Sequence, residues 1–226
     1  SMGAHGTWTL GGWHADLFAG LLAFAGSPTP YLEPGKKVVG VTEGVLPNLR
    51  NLRLWSYHSK DDPNVAIGAT QAAIAELKRL AAEHGGYEHR YEEVDHRGHD
   101  FPNPIPPLEW VAERARDPRP AKIVWQPVRP AKRMFYWLFW DPPRTDATLV
   151  AERVAPNEFA LRLEGGFEGL SVLLDERLAD FSKEVLVRVN GSERFRGKVA
   201  PSLATMLLTA AERNDPEMLF PARVRL

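Results

Sequence analysis

Hydrophobic and polar positions follow two different patterns along this chain, and the change falls near residue 118. In the first part, Ile67, Ile74 and Leu77 repeat at helical spacing while charged side chains occupy the opposite face, which predicts a helix over residues 66–84. Short apolar runs predict strands at 21–25, 52–57 and 91–94, and further helices are predicted at 3–13 and 108–116. Strands joined by helical crossovers of this length pair in parallel, so an α/β layer structure is expected.

Short strands separated by turn residues dominate the second part. They are predicted at 122–126, 135–140, 148–154, 158–163, 170–174 and 184–189, with one helix near 202–213. Asn190-Gly191 suits a type I′ turn and predicts a hairpin with the strand that follows. The expected domains are therefore an α/β part, residues 1–118, and a β-rich, sandwich-like module, residues 119–226.

Composition excludes several classes of function. The 226 residues include 28 Lys and Arg against 29 Asp and Glu, and no cysteine. A net charge of −1 argues against general electrostatic binding to nucleic acid or anionic lipid. The absence of cysteine removes disulfides, thiolate nucleophiles and thiolate metal ligands. The longest apolar run, residues 17–26, is far shorter than the roughly 20 residues of a bilayer helix, so no membrane span is predicted and the compartment stays open.

Three polar residues lie where predicted strands end or a helix begins: Ser1, Asp62 and His99. Open α/β sheets place reactive groups at such positions, and serine, aspartate, histidine is the chain order of α/β-hydrolase triads. A serine hydroxyl becomes nucleophilic when an imidazole takes its proton, and a carboxylate orients that imidazole. The backbone N–H of Met2, at the positive end of a helix, would face the developing oxyanion.

The motifs around these residues resemble a known superfamily. Residues 1–8, SMGAHGTW, look like the stretch that begins at the nucleophile elbow in α/β-hydrolase esterases and peptidases, most nearly the prolyl-oligopeptidase-like and polyhydroxybutyrate-depolymerase-like branch. Residues 58–65, HSKDDPNV, are similar to the His-Gly-x-x-Asp-x-x-Val acid loop of that group, and Arg97-Gly98-His99 resembles its Gly-His loop. The resemblance implies a serine hydrolase acting on a small-molecule or polymeric ester or peptide-like substrate, with esterase favoured over peptidase. It also implies Asp62, rather than Asp61, as the acid.

The chain departs from this family pattern in two ways. The strands that normally precede the serine are absent, which implies that a second chain or another segment supplies the first half of the sheet. Ser59 stands where the acid loop usually has glycine.

Other interpretations stay open for each residue. Ser1-Met2 would also fit the remnant of an expression tag. Asp62 would also fit a cap of the following helix, and Asp61 would fit either the acid or a residue of a solvated turn. His96 is a rival base, and His5 lies one helical turn beyond Ser1.

No metal or organic cofactor is predicted. The four histidines at positions 5, 58, 96 and 99 do not have a usual metal-ligand spacing, and no glycine-rich nucleotide-binding loop is present.

The aromatic run at 135–140, FYWLFW, is expected to form a buried strand, with a sugar-stacking platform or substrate-groove wall as the alternatives. A second hypothesis for the whole protein is accordingly a non-catalytic module that binds carbohydrate or a protein partner. A third is a fragment that is inactive without its N-terminal half.

Overall fold

Helices and strands alternate over the first of two units, Ser1–Asp117, in the computed structural model, which describes residues 1–35 and 37–226. Its elements are α1 (Met2–Trp13), β1 (Gly20–Phe24), β2 (Pro30–Leu32), β3 (Val38–Val41), β4 (Arg53–Ser59), α2 (Gly68–His84), β5 (His89–Val94) and α3 (Ile105–Ala112), with 3-10 turns at Ala15–Leu17 and Pro47–Asn51. Strands β1, β4 and β5 form a sheet in that order, and both pairings are parallel. The predicted parallel sheet is thus confirmed.

Strand β4 lies between its two neighbours, and side chains on both of its faces are buried, as is usual for a central parallel strand. Helix α2 buries Ala73, Ile74, Leu77 and Leu80 and ends at Gly85, whose φ of 69° is readily adopted by glycine. Because β1, β4 and β5 are parallel, the turns that follow them all lie at one edge of the sheet. This edge carries the polar residues singled out in the sequence.

The segment between β1 and β4 differs from expectation. Its glycines and prolines predict a loop, but it contains an antiparallel hairpin of β2 and β3. Tyr31, Leu32 and Val39 are exposed in this hairpin, whereas Val38 and Val41 are half-buried, so its burial is weak.

The second unit, Pro118–Leu226, contains two sheets. Its elements are β6 (Lys122–Trp125), β7 (Met134–Phe135), β8 (Leu138–Trp140), β9 (Leu149–Ala155), β10 (Glu158–Arg162), β11 (Leu170–Leu174), β12 (Val185–Val189), β13 (Ser192–Gly197), α4 (Leu203–Glu212) and β14 (Ala222–Arg225), with a 3-10 turn at Pro216–Met218. One sheet has the order β13-β12-β10-β9-β6 and the other β14-β11-β8-β7. The hairpin predicted at Asn190-Gly191 is confirmed: β12 and β13 pair antiparallel, and both turn residues have positive φ.

The aromatic run is a core element, but it is not one strand. Residues 135–140 form the end of β7, a turn at Tyr136-Trp137 and then β8, and Tyr136 has a φ of 51°. All six side chains are at most 4% exposed. Trp125, in the other sheet, stacks on Phe135 with 5.5 Å between ring centroids. The burial prediction is therefore confirmed, and the run presents no open face on which a sugar ring would stack.

Within residues 1–35 and 37–226, no helix has both the length and the apolar character needed to cross a bilayer.

Candidate active site

Asp62 and His99 are brought together by the parallel sheet. Asp62 lies in the turn after β4 and His99 in the turn after β5, and these strands are direct neighbours. Asp62 Oδ2 is 2.8 Å from His99 Nδ1. The Asp62 side chain is completely buried, whereas that of His99 is 21% exposed. No hydrogen-bond partner of His99 Nε2 is found in the part of the chain that the structure describes. In His99, Nδ1 therefore contacts the Asp62 carboxylate, and Nε2 is left to accept a proton.

Asp62 is held as a carboxylate by hydrogen bonds. Its Oδ1 accepts the backbone N–H groups of Asn64, at 2.8 Å, and Val65, at 2.9 Å. Burial alone would raise the pKa of Asp62, but the bonds from His99 and from these two N–H groups outweigh it and lower the pKa. The helix-cap interpretation is wrong, because α2 starts later and has Ile67 as its N-cap.

His58 supports Asp62 from the interior, a role for which the sequence patterns gave no prediction. Its Nε2 lies 3.0 Å from the Val65 carbonyl oxygen and 3.2 Å from Asp62 Oδ2, and its Nδ1 lies 2.7 Å from Thr70 Oγ1. Burial lowers the pKa of His58 despite these acceptors, which favours the neutral ring. Since a carbonyl and a carboxylate only accept, Nε2 carries the proton and Nδ1 accepts from the Thr70 hydroxyl. The only sequence signal for this residue is its place at the start of the acid-loop motif.

Ser1 lies at the same edge of the sheet, at the N-cap of α1 and exposed to solvent. A β-carbon built on Gly26, which follows β1, would be 2.7 Å from the Ser1 carbonyl oxygen and 3.4 Å from its Cα. The backbone of Ser1 is thus packed against Gly26. The Gly26 carbonyl oxygen in turn lies 3.5 Å from Thr70 Oγ1, the partner of His58. Among the described residues, no hydrogen bond joins the Ser1 hydroxyl to His99.

Met2 is the first residue of α1, so its backbone N–H belongs to the helical turn whose donors have no intrahelical acceptor. The positive end of the helix dipole is at this position. An N–H in this position is able to bind a negatively charged oxygen.

The rival residues take other positions. Asp61 binds Ser59 and the backbone N–H groups of residues 97 and 98 rather than the imidazole. His96 is exposed with a φ of 58°, and the two imidazoles that contact Asp62 are His58 and His99. His5 is exposed, with its ring nitrogens 3.2 Å from the Ser27 carbonyl oxygen and 3.3 Å from Thr29 Oγ1. Among the residues described, no group of three or more His, Asp or Glu side chains is arranged so that it could hold a metal ion.

Comparisons with known proteins show little similarity. No protein-family model matches the chain, and no curated protein matches it. The crystal structure of a thermostable esterase is similar over 51% of this chain and 30% of that chain, with 26% sequence identity and a TM-score of 0.37. The chain thus spans about 30% of the length of that esterase. A TM-score this low does not establish a shared fold.

Proposed function

We propose that this protein is a serine hydrolase of the α/β-hydrolase type that cleaves a carboxylic ester or a peptide-like acyl bond. Ser1 is the nucleophile, His99 the general base and then acid, and Asp62 the residue that orients His99. The observation that carries this proposal is the 2.8 Å contact between the buried Asp62 carboxylate and the partly exposed His99 ring. It is supported by the position of Ser1 at the same edge of the sheet.

In this mechanism His99 carries its proton on Nδ1. Because the ionised Asp62 only accepts, Nδ1 of His99 carries the hydrogen and Nε2 is free to accept one. In the first step Nε2 takes the Ser1 hydroxyl proton while the serine oxygen bonds to the carbonyl carbon. The imidazolium that forms is stabilised by Asp62, and it then protonates the leaving alcohol or amine as the acyl–enzyme forms. Water repeats the sequence and releases the acid.

Negative charge develops on the carbonyl oxygen during this attack. The Met2 N–H lies directly after the nucleophile and at the positive end of α1, and it serves in the proposal as one oxyanion donor.

The proposal assigns residues 1–118 to the catalytic part and residues 119–226 to an appended β-rich module.

Among the described residues, β1 is an outer strand of its sheet and pairs only with β4. The backbone N–H and C=O groups along its other long side can therefore pair with a further strand. A second chain or another segment that adds a strand there is the partner that we propose. Esterase activity is favoured over peptidase activity, and this preference comes from the sequence resemblance.

Covalent labelling tests the function directly. The full chain is incubated with a fluorophosphonate probe, and the modified peptide is mapped by tandem mass spectrometry. We expect one adduct, on Ser1, that is lost in Ser1→Ala and in His99→Ala because attack on phosphorus needs both groups. Ser202→Ala, a serine at the start of α4, is the matched control and keeps the label. An unlabelled wild-type chain that is folded by circular dichroism, or a label that survives Ser1→Ala, contradicts the proposal.

Gly26→Ala tests the packing that positions Ser1. The added methyl would lie 2.7 Å from the Ser1 carbonyl oxygen and 2.8 Å from the Ala4 β-carbon, so the start of α1 must move away from β1. We expect a loss of about 1–3 kcal/mol in the free energy of unfolding from this overpacking. We also expect the labelling rate to fall by at least about tenfold, because small displacements of a reacting group are costly.

Gly6→Ala is the matched control for this variant. Gly6 is also in α1, but nothing lies within 4 Å of its added β-carbon, so helix propensity should raise stability by about 0.5–1 kcal/mol. Urea denaturation and labelling kinetics measure both variants. Equal labelling rates in Gly26→Ala and Gly6→Ala would show that Gly26 does not position the nucleophile.

A further inference from the structure

A second carboxylate, Asp61, binds the loop that carries His99. Its Oδ1 accepts three hydrogen bonds: from Ser59 Oγ at 2.5 Å, from the Gly98 N–H at 3.0 Å and from the Arg97 N–H at 3.2 Å. Two of the three donors are therefore consecutive backbone N–H groups of the loop, and the second of them directly precedes His99. None of the three bonds involves the imidazole itself.

The loop conformation explains why these two N–H groups converge. His96 and Gly98 both have a φ of 58°, in the left-handed region, on either side of Arg97. Alternation of this kind turns successive N–H groups toward a common point and makes a concave anion-binding site, or nest. Here the anion is a side chain of the neighbouring turn. A non-glycine residue such as His96 adopts this φ at a cost in free energy, so the loop needs support from outside to keep its shape.

Ser59 connects this carboxylate to the rigid sheet. It is the last residue of β4 and is 1% exposed. Its Oγ donates to Asp61, accepts the Arg97 N–H at 3.2 Å and lies 3.4 Å from the Val94 carbonyl oxygen at the end of β5. A glycine at this position would lack every one of these contacts. The serine hydroxyl thus joins the end of one strand to the loop that follows the other.

We propose that Ser59 and Asp61 form a clamp on the backbone at Arg97 and Gly98, and that this clamp holds His99 in register with Asp62. Asp61 and Ser59 are positioning residues in this proposal, since neither touches the imidazole. The catalytic meaning of the clamp depends on the proposed function, whereas its structural part does not. The acid loop contains two adjacent aspartates, and the clamp gives them separate roles, because Asp62 binds the ring of His99 and Asp61 binds the backbone that supports it.

Charge strengthens the clamp. The hydroxyl of Ser59, followed by the Gly98 N–H, lowers the pKa of Asp61, so the carboxylate is ionised at neutral pH. Bonds from N–H and O–H groups to an ionised carboxylate are stronger than bonds between neutral groups. Asp61 is exposed, however, and solvent screening reduces the electrostatic part of this gain. We therefore expect a moderate effect on rate, well below that of losing Asp62.

The test compares Asp61→Ala and Ser59→Gly with Asp95→Ala in the full chain. Asp95 is the matched control, because it also lies beside the His99 loop and pairs with Lys60 Nζ at 3.1 Å. Three quantities are measured: hydrogen exchange of the Arg97 and Gly98 amides, the NMR signal of the His99 Nδ1 proton, and the rate of fluorophosphonate labelling at Ser1. Thermal unfolding is recorded for each variant, and Asp61→Leu, which keeps a similar side-chain size but has no acceptor oxygen, replaces Asp61→Ala if that variant does not fold.

In Asp61→Ala we expect the Gly98 amide to exchange at least about tenfold faster, since it loses Asp61 Oδ1 as its acceptor. The Arg97 amide should exchange faster by a smaller factor, because Ser59 Oγ still accepts from it. We expect the His99 Nδ1 proton signal to broaden or disappear and the labelling rate to fall about tenfold. Ser59→Gly should give smaller changes of the same kind. In the double variant the Arg97 amide should exchange faster than in either single variant, because both of its acceptors, Asp61 Oδ1 and Ser59 Oγ, are then removed. Asp95→Ala should match the wild type.

Unchanged amide exchange and an unchanged His99 signal in Asp61→Ala would overturn the clamp, whatever the labelling rate. Faster exchange with an unaltered labelling rate would overturn its role in positioning the base. If the wild-type chain is not labelled at all, the proposed hydrolase function fails, and the amide and imidazole signals still decide whether the clamp exists.

Discussion

Asp62→Asn is expected to lower the rate of fluorophosphonate labelling at Ser1 by about 10³–10⁴-fold, the loss typical of replacing the carboxylate of a serine–histidine–aspartate triad. If the amide oxygen of the asparagine accepts from Nδ1, a neutral dipole replaces the charge that stabilises the imidazolium. If the amide N–H₂ faces Nδ1 instead, the ring holds its proton on the wrong nitrogen. The Asp62 side chain is completely buried, so water is not expected to compensate.

Asp61→Asn is the matched control for this prediction. It is the same substitution at the adjacent aspartate, and it leaves an amide oxygen that accepts from the Gly98 and Arg97 N–H groups. Its labelling rate should fall by less than about tenfold, because the charge it loses is exposed to solvent. The second-order rate constants of both variants decide the assignment. A loss in Asp61→Asn as large as that in Asp62→Asn would contradict the choice of Asp62 as the acid.

Trp137→Ala is expected to lower the free energy of unfolding of the second unit by about 3–5 kcal/mol, the cost typical of removing a fully buried aromatic side chain. Trp137 is 0% exposed and packs edge-to-face on Phe159, with 5.5 Å between ring centroids. Its Nε1 donates to the Pro120 carbonyl oxygen at 2.8 Å, and that acceptor would lose its partner. Urea denaturation followed by near-UV circular dichroism measures the change.

Leu203→Ala provides the comparison in the same unit. Leu203 is 70% exposed at the start of α4, so its replacement should change stability by no more than about 0.5 kcal/mol. A Trp137→Ala variant that keeps wild-type stability but loses binding to carbohydrate would contradict the core assignment. It would favour the binding-module hypothesis for the β-rich unit.

Local sequence patterns were sufficient for the main elements of the first unit. Helix α2 was predictable because its apolar side chains repeat at the helical period and Gly85 ends it. The proximity of Asp62 and His99 was also predictable in outline. Residues that follow neighbouring parallel strands meet at one sheet edge, whatever the details of packing.

Local patterns failed where a turn or a pairing depended on distant residues. The hairpin of β2 and β3 has exposed apolar positions and no clear alternation, so nothing in its own sequence marked it as a strand pair. The turn at Tyr136 between β7 and β8 was not predictable from the aromatic run, because all of the side chains of the run are buried and no polar residue marks the turn. An apolar sequence indicates burial, but it does not indicate where the backbone reverses.

Hydrophobic period and motif spacing are properties of the chain read in order, so they were enough to give the residue types of the candidate site and the strands that carry them. The family motif also implied Asp62 rather than Asp61 as the acid, but the partners of the two carboxylates became visible only in the folded chain. Asp61 and Asp62 are adjacent and chemically identical, and only the register between β4 and β5 directs one to the backbone at Gly98 and the other to the ring of His99. The burial that keeps His58 neutral beneath Asp62 likewise exists only after the sheet and α2 have packed together.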